Sequence, residues 1–341
     1  MSFEWKNKRV LITGGAGFIG SYLTELIVQE AATVTVVDDL SRGQLGHLAR
    51  VINDIRFVQA DLRYLDACEG VCSGQDVVLN LAAPVFGLEY SVRHHGEMLT
   101  SSLMISSNVL EAARRKGVSR CLVCSSSCVY PDDALVPTPE SEAERGSPES
   151  ANRGYGWAKR IAEAQAQYYA EEYGMEIAIG RPFNAYGPRD YIEGEKAHVI
   201  PALIQKALTA AEPIRVWGSG NQTRSFVHAR DIALGLKLIT ERYACADPVN
   251  IGHDEETTIR DLITRICRLA AKPCEVVFDT SKPEGAGRKA ADTTKLRAVT
   301  LGFVPSVTLD QGLEEMLDSF TARMSASGEL SCVGKKVRAG G

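Results

Sequence analysis

The chain lacks any run approaching the ~20 consecutive apolar residues that a bilayer-spanning helix needs, so no membrane segment is expected. The opening residues, Met1-Ser2-Phe3-Glu4-Trp5-Lys6, have no apolar signal core, which argues against export and for a cytoplasmic protein. An excess of positive charge is missing too. There are 38 Lys and Arg against 43 Asp and Glu, a formal net charge of −5, and no basic footprint for nucleic acid results. Zinc spacing is also absent. The nine cysteines are scattered, and Cys121-x-x-Cys124 lies inside an apolar run rather than at a helix start. No metal site is expected; reduced, mostly buried thiols are the simplest reading.

What is present is an ordinary globular composition, 45% hydrophobic and 24% charged over 341 residues, enough for one large or two smaller domains. The first half alternates short apolar runs with longer amphipathic ones. Strands are expected at 9–12, 33–37, 55–59, 76–80, 120–124 and 176–179, and helices at 18–30, 98–116 and 155–173. Such alternation predicts an α/β fold with a doubly wound parallel sheet, over residues 1–181. From 182 the pattern becomes irregular, with helices expected at 200–209, 258–269 and 309–319 and a strand at 214–217. A smaller α/β substrate-binding domain is placed at 182–325, and 326–341, small and polar, is expected to be disordered.

Thr13-Gly14-Gly15-Ala16-Gly17-Phe18-Ile19-Gly20 joins the first strand to the first helix. Glycines there let the backbone turn tightly and approach a pyrophosphate resting on the helix N-terminus. Gly15, Gly17 and Gly20 fit G-x-G-x-x-G, while Gly14, Gly17 and Gly20 fit G-x-x-G-x-x-G. Asp38 ends the second strand, where a carboxylate accepts hydrogen bonds from adenosine ribose hydroxyls and repels a 2′-phosphate, so NAD is favoured over NADP. Arg42 nearby weakens that preference without reversing it. Asp61 and Leu62 follow the third strand, where adenine would lie. Ala82, in Leu81-Ala82-Ala83, would let the dinucleotide lie against the backbone.

Tyr155 and Lys159 stand at i and i+4 on an expected helix and so share a face. A free phenol, with pKa ~10, is a poor base at neutral pH. An ammonium group and a positive nicotinamide would favour its phenolate, which can take a proton from a hydroxyl. Ser126 can hydrogen-bond the reacting oxygen. Cys128 follows two residues later, in Ser125-Ser126-Ser127-Cys128-Val129-Tyr130-Pro131. The bland reading, one more semi-buried thiol among nine, stands beside it. Trp217 and His228 read as packing residues.

Together these features resemble the extended short-chain dehydrogenase/reductase family that acts on nucleotide sugars. The likeness runs from Arg9 to about Phe320 and includes the glycine loop, Asp38, Ser126, Tyr155, Lys159, the run 181–189, and Trp217-Gly218-x-Gly220 leading to Arg224-Ser225-Phe226-Val227-His228. It implies a Rossmann-type fold, NAD, a nucleotide-diphosphate sugar as substrate, and a homodimer through helices 98–116 and 155–173. Leu99, Leu103, Leu110 and Ala113 are compatible with that dimer, and equally with the subunit's own core. Within the family, Ser126 to Pro131 is similar to two branches, GDP-mannose 3,5-epimerase and GDP-L-fucose synthase, which use a cysteine here for proton transfer. Glu195-Lys196-Ala197 resembles the first branch, where the lysine is the partner acid, and His198-Val199-Ile200-Pro201 the second, where the histidine is. Further epimerase-like stretches place the 3,5-epimerase nearest.

The resemblance also implies C4 oxidation, proton exchange at C5 or C3 between Cys128 and Lys196 or His198, and re-reduction. Cys128 is expected to work as a thiolate favoured by nearby positive charge. Asn184, Arg224 and Arg288 match substrate-binding positions, the arginines for the diphosphate, and Lys196, Ser126 and Gly87 would approach the sugar. The stretch 84–89 departs from the glycine-rich version of the epimerase branch. A fucose synthase-like reductase, a C4 epimerase or a UDP-glucuronate decarboxylase are the alternatives, and guanine as the base follows from the resemblance.

Overall fold

The computed structural model describes residues 3–191, 197–209, 213–271, 275–282 and 286–326. In chain order the first half forms β1 (Arg9–Thr13), α1 (Phe18–Gln29), β2 (Thr33–Asp38), β3 (Ile55–Gln59), α2 (Leu65–Cys72), β4 (Val77–Asn80), α3 (Leu88–Ser91), α4 (His95–Arg115), β5 (Arg120–Cys124), α5 (Arg153–Tyr173) and β6 (Glu176–Pro182). The strands are short, largely apolar runs, β-branched above all in β1, β2 and β4. In β1, Val10, Leu11 and Ile12 have no exposure at all, as a strand covered by helices on both faces requires.

The second half adds β7 (Ala185–Tyr186), α6 (Val199–Thr209), β8 (Ile214–Trp217), β9 (Thr223–Arg224), β10 (Val227–His228), α7 (Ala229–Arg242), β11 (Cys245–Ile251), β12 (Thr257–Thr258), α8 (Ile259–Leu269), β13 (Val276–Asp279), β14 (Arg288–Lys289), α9 (Thr294–Val299) and α10 (Leu309–Ala326). Among the described residues a seven-stranded sheet runs in the order β11-β6-β5-β4-β1-β2-β3, with every ladder parallel. From β1 the chain goes one way to β2 and β3 and the other way to β4, β5 and β6. A crevice therefore opens over the carboxyl ends of β1 and β4, the switch point at which open α/β sheets bind ligands. This is the expected Rossmann-type fold.

One strand comes from the stretch assigned to the second unit. β11 pairs with β6, and α7 packs against α1, so the chain beyond 182 returns to the first layer. Pro248 concealed this strand in the sequence. It sits at a register shift between Cys245 and Pro248, on the outermost strand, where a missing N–H is tolerated.

The rest of the second half has its own core. On α8, Ile259, Leu262, Ile263 and Ile266 recur at helical spacing and meet Ile200, Leu203 and Ile204 of α6 and Leu313, Met316 and Phe320 of α10. His228 is buried as expected, and its Nδ1 accepts from the Arg230 N–H at 3.2 Å. Trp217 is not a packing residue; it ends β8 half exposed. Leu110 and Ala113 belong to the subunit's own core, beneath α4. The tail beyond Ala326 lies outside the described residues. Among those residues no helix is long and apolar enough to cross a membrane.

A buried ion pair ties the layers together. Arg181, at the end of β6, meets Glu163 of α5 at 2.7 Å with both side chains almost fully buried. Arg181 also donates to the Tyr130 hydroxyl at 2.9 Å and to the Glu140 carbonyl at 2.8 Å, and the Ser125 hydroxyl donates to Glu163. Removing one member strands a buried charge. Glu163→Ala is therefore expected to lower the unfolding free energy by about 3–5 kcal/mol, read from urea denaturation. A loss below about 1 kcal/mol would show that the Arg181 charge is satisfied without its partner.

Candidate active site

The turn between β1 and α1 is built for close approach. Gly14 has φ +65°, its N–H donates to the Val37 carbonyl at 2.8 Å, and a Cβ there would stand 2.9 Å from the Ala82 Cα. A Cβ on Gly20 would fall 2.1 Å from the Gly14 carbonyl oxygen. Gly17 is the N-cap of α1, with no side chain capping the helix and no acidic residue in its first turn. Phe18 and Ile19 begin that turn, leaving its N–H groups unclaimed by side chains, which suits a pyrophosphate. The glycines therefore fit a dinucleotide on observations of this chain's own backbone.

Asp38 closes β2 with its side chain nearly buried. Its oxygens accept from the Ala16 N–H at 3.1 Å and the Leu40 N–H at 2.9 Å. Burial raises its pKa while those N–H groups pull it back. Ala82 packs over Gly14, its N–H held by the Thr13 hydroxyl at 3.1 Å. Asp61 is paired with Arg63 at 2.6 Å, and Leu62 is buried in the core, so only its backbone can face a ligand. Arg42 extends from the loop after β2, donates to the Val85 carbonyl, and lies 4.8 Å from the Phe86 ring centre and 4.6 Å from that of Tyr191.

At the end of β5, Ser126, Cys128, Tyr155 and Lys159 converge. The Ser126 oxygen accepts from the Cys128 N–H at 3.2 Å, capping a single 3-10 turn. Lys159 donates to the Cys124 carbonyl at 2.7 Å, and its Nζ stands 5.3 Å from the Tyr155 ring centre. Burial moves both groups away from their charged forms. It lowers the Lys159 pKa, and it pushes the Tyr155 phenol well above its ordinary value, with Cys128 and Cys124 adding to that rise. Gly156 makes the fit possible, since a Cβ there would meet the Cys128 carbonyl at 2.4 Å and the Pro148 Cβ at 2.6 Å.

Two residues that sequence reasoning missed complete this corner. Glu149 stands beside Cys128, and its carboxylate pairs with Lys289 at 2.6 Å and accepts from Asn152. The expectation of a thiolate favoured by positive charge is corrected here. Burial and the Glu149 carboxylate push the thiol up to about 12, against the opposing pull of Lys289 and Ser126. Burial works against the Lys289 ammonium, but Glu149 outweighs it and the pKa of Lys289 ends above its usual value.

Lys289, not its neighbour, is the basic residue that β14 turns inward. Arg288 is half exposed, paired with Glu256 at 2.7 Å and donating to the Val136 carbonyl at 2.9 Å, because successive strand residues point to opposite faces. Arg224 pairs in register with Lys289 and is lowered by burial, with Glu149 opposing. Asn184 donates to the Ser225 carbonyl at 2.8 Å and the Lys289 carbonyl at 3.3 Å, tying these strands together.

His198 lies elsewhere along the crevice. Its Nδ1 is 3.0 Å from Asp190 Oδ2, and that carboxylate raises the imidazole pKa against the effect of burial. Among the described residues no hydrogen bond or ion pair joins His198 to Cys128. Lys196 lies outside the described residues. Gly87 is buried, its carbonyl accepting from the Ser91 N–H at 3.1 Å at the start of α3.

Gly20→Ala is expected to reduce the dinucleotide retained on the purified protein by about tenfold or more, because the helix can no longer close on the turn. The check is the absorbance of nucleotide released on denaturation, with circular dichroism to confirm the fold. Undiminished nucleotide would count against the cradle.

The chain is similar to known proteins along nearly its whole length. Residues 10–252 match the model of the NAD dependent epimerase/dehydratase family. A putative GDP-L-fucose synthase 2 of Oryza sativa subsp. japonica is 34% identical over 91% of this chain and 86% of its own length. GDP-mannose 3,5-epimerase 1 of the same plant is 32% identical over 89% of this chain and 79% of its own. The crystal structure of UDP-glucose 4-epimerase from Thermotoga maritima, 28% identical, superposes with a TM-score of 0.83 over 93% of this chain and 99% of that one. The glycine cradle, the Tyr155–Lys159 helix and these likenesses lead to one conclusion: the chain belongs to the NAD dependent epimerase/dehydratase family, as an enzyme of its nucleotide-sugar epimerase and reductase kind.

Proposed function

We propose that the enzyme is a nucleotide-sugar 3,5-epimerase similar to GDP-mannose 3,5-epimerase, working with bound NAD. The observation that carries this reading is the Cys128 thiol beside the Tyr155–Lys159 pair. Hydride transfer at C4 needs the tyrosine, the lysine and Ser126; an ionisable thiol in the same corner is chemistry that simple C4 epimerisation does not use.

Gly14, Gly17, Gly20, Asp38 and Ala82 would hold the dinucleotide, which when bound takes hydride from C4 and later returns it. Tyr155 Oη removes the C4 hydroxyl proton, helped by the Lys159 ammonium, and Ser126 Oγ hydrogen-bonds the same oxygen. The resulting C4 ketone acidifies the hydrogens at C3 and C5. Cys128 exchanges a proton on one face of the sugar. His198, oriented by Asp190, or Lys196 acts on the other. Arg224 and Lys289 supply positive charge for the diphosphate, with Arg288 at the outer edge, and guanosine is the favoured nucleoside. Asp38 supports NAD, because a carboxylate that accepts from ribose hydroxyls repels a 2′-phosphate.

Met104, Trp157, Ile161 and Tyr168 stand exposed on α4 and α5, which supports a homodimer through these helices. Free thiols at the described cysteines fit a reducing, cytoplasmic setting. A second reading, an epimerase-reductase of the GDP-L-fucose synthase kind, is favoured by the His198–Asp190 pair and by the 34% identity to the plant synthase. NADPH consumption with a GDP-4-keto-6-deoxy sugar would distinguish it.

The test of the first reading is incubation of the purified enzyme with GDP-mannose in heavy water without added cofactor. Deuterium is expected at C5 or C3 by NMR, and unlabelled sugar refutes the reading. Cys128→Ala should slow that exchange by about 100-fold or more; a rate within a few-fold of the parent would assign plain C4 chemistry instead. Asp38→Asn should shift the ratio of NADP to NAD affinity by about tenfold toward NADP, measured by titration of nucleotide-stripped protein, and an unchanged ratio removes Asp38 from cofactor choice.

A further inference from the structure

Cys128 is surrounded by charge from four segments. Tyr155 and Lys159 face it from α5, Lys289 from β14, Arg224 lies beside Lys289 on β9, and Glu149 approaches from the loop before α5. Glu149 is the carboxylate beside the thiol, and it is itself fixed. Lys289 holds one of its oxygens at 2.6 Å and Asn152 the other. The pair is partly buried, with side-chain exposures of 13% for Glu149 and 17% for Lys289. An ion pair that leads to a thiol is a wire with an acid at one end and an ammonium group at the other.

We propose that Glu149 is the proton relay of Cys128, holding the thiol protonated so that Cys128 is the acid of the pair, and passing it a proton from Lys289 after each transfer. This rests on the epimerase reading. In the forward step the enolate electron pair forms a C–H bond at the sugar carbon, the S–H bond breaks, and its electron pair stays on sulfur as negative charge. Glu149 then protonates the sulfur while taking a proton from the Lys289 ammonium. Lys289, left as an amine, is recharged by water. The proton that the opposing base removed from the sugar returns to solvent, so the cycle consumes no acid. The diphosphate also acts through Lys289, since an anion that draws the ammonium toward itself makes Glu149 more basic toward the thiol.

Glu149 thus acts through Cys128 rather than on the sugar, and the first readout needs no substrate. In the full-length enzyme, iodoacetamide modification of Cys128 is followed against pH by mass spectrometry of its peptide. The wild-type thiol is expected to react slowly near neutrality, with a midpoint above the ordinary ~8.5 of a free cysteine. Glu149→Gln keeps the shape and removes the charge. It should lower the midpoint by about one unit or more and speed modification near neutrality by about tenfold. Lys289→Met should shift the midpoint the other way, and Glu149→Asp should restore the wild-type profile.

A Glu149→Gln profile that coincides with wild type overturns the proposal. If that variant does not fold, a Lys289→Met midpoint that is unmoved or lowered overturns it equally. The two proposals fail separately. Absent deuterium wash-in by the wild-type enzyme removes the substrate reading while the alkylation shifts stand; normal wash-in with coincident profiles removes the relay alone. With a sugar that does exchange, Glu149→Gln should lower the maximal wash-in rate about tenfold with little change in KM, and Glu149→Asp should recover most of it. An unchanged wash-in rate would refute the relay.

Discussion

The ion pair between Glu163 and Arg181 is the constraint on which the site depends. Tyr155, Lys159 and Glu163 recur at steps of four along α5, so they lie on one helical stripe. The first two converge with Ser126 and Cys128 at the end of β5, and the third is clamped by Arg181 at the end of β6 and by Ser125 at the end of β5. Whatever fixes Glu163 therefore fixes the height and rotation of Tyr155 and Lys159 over the sheet. Arg181 extends the clamp to Tyr130, beyond the cysteine loop, and through Tyr130 to Asn250 of β11. The edge strand from the second half of the chain is thus linked to the chemistry by buried hydrogen bonds.

Around this frame, burial and pairing divide the ionisable groups by task. Tyr155 and Lys159 are both biased toward their neutral forms when the crevice holds only protein. A positively charged ring bound beside the phenol would oppose that bias. Burial moves the Cys128 thiol in the same way, and a carboxylate of the protein, Glu149, adds to its shift.

The local features were legible in the sequence. A strand, a glycine turn and a helix lie within a dozen residues, and each glycine has a neighbour that a Cβ would strike. Tyr155 and Lys159 needed only the helical period. Glu149 and Lys289 were not legible, because their partnership joins segments 140 residues apart and nothing local marks either as buried. The choice between Arg288 and Lys289 turned on which face of a two-residue strand looks inward, which no pattern that short can reveal. β11 was hidden by Pro248, a residue whose edge position excuses it. Cys128 was expected as a thiolate, but burial and the Glu149 carboxylate, neither of which the local sequence shows, raise its pKa.

Arg42 lies on one bank of the crevice and Val85 on the other, since β2 and β4 flank β1 on opposite sides. The guanidinium is a span across the switch point, anchored by a carbonyl below and aromatic rings beside it. Contacts of that kind reach about 2 kcal/mol when desolvated, comparable with thermal energy only a few times over. An enzyme that regenerates its nucleotide in place can keep such a span shut through successive catalytic cycles, whereas one that must exchange nucleotide at every turnover has to undo it each time.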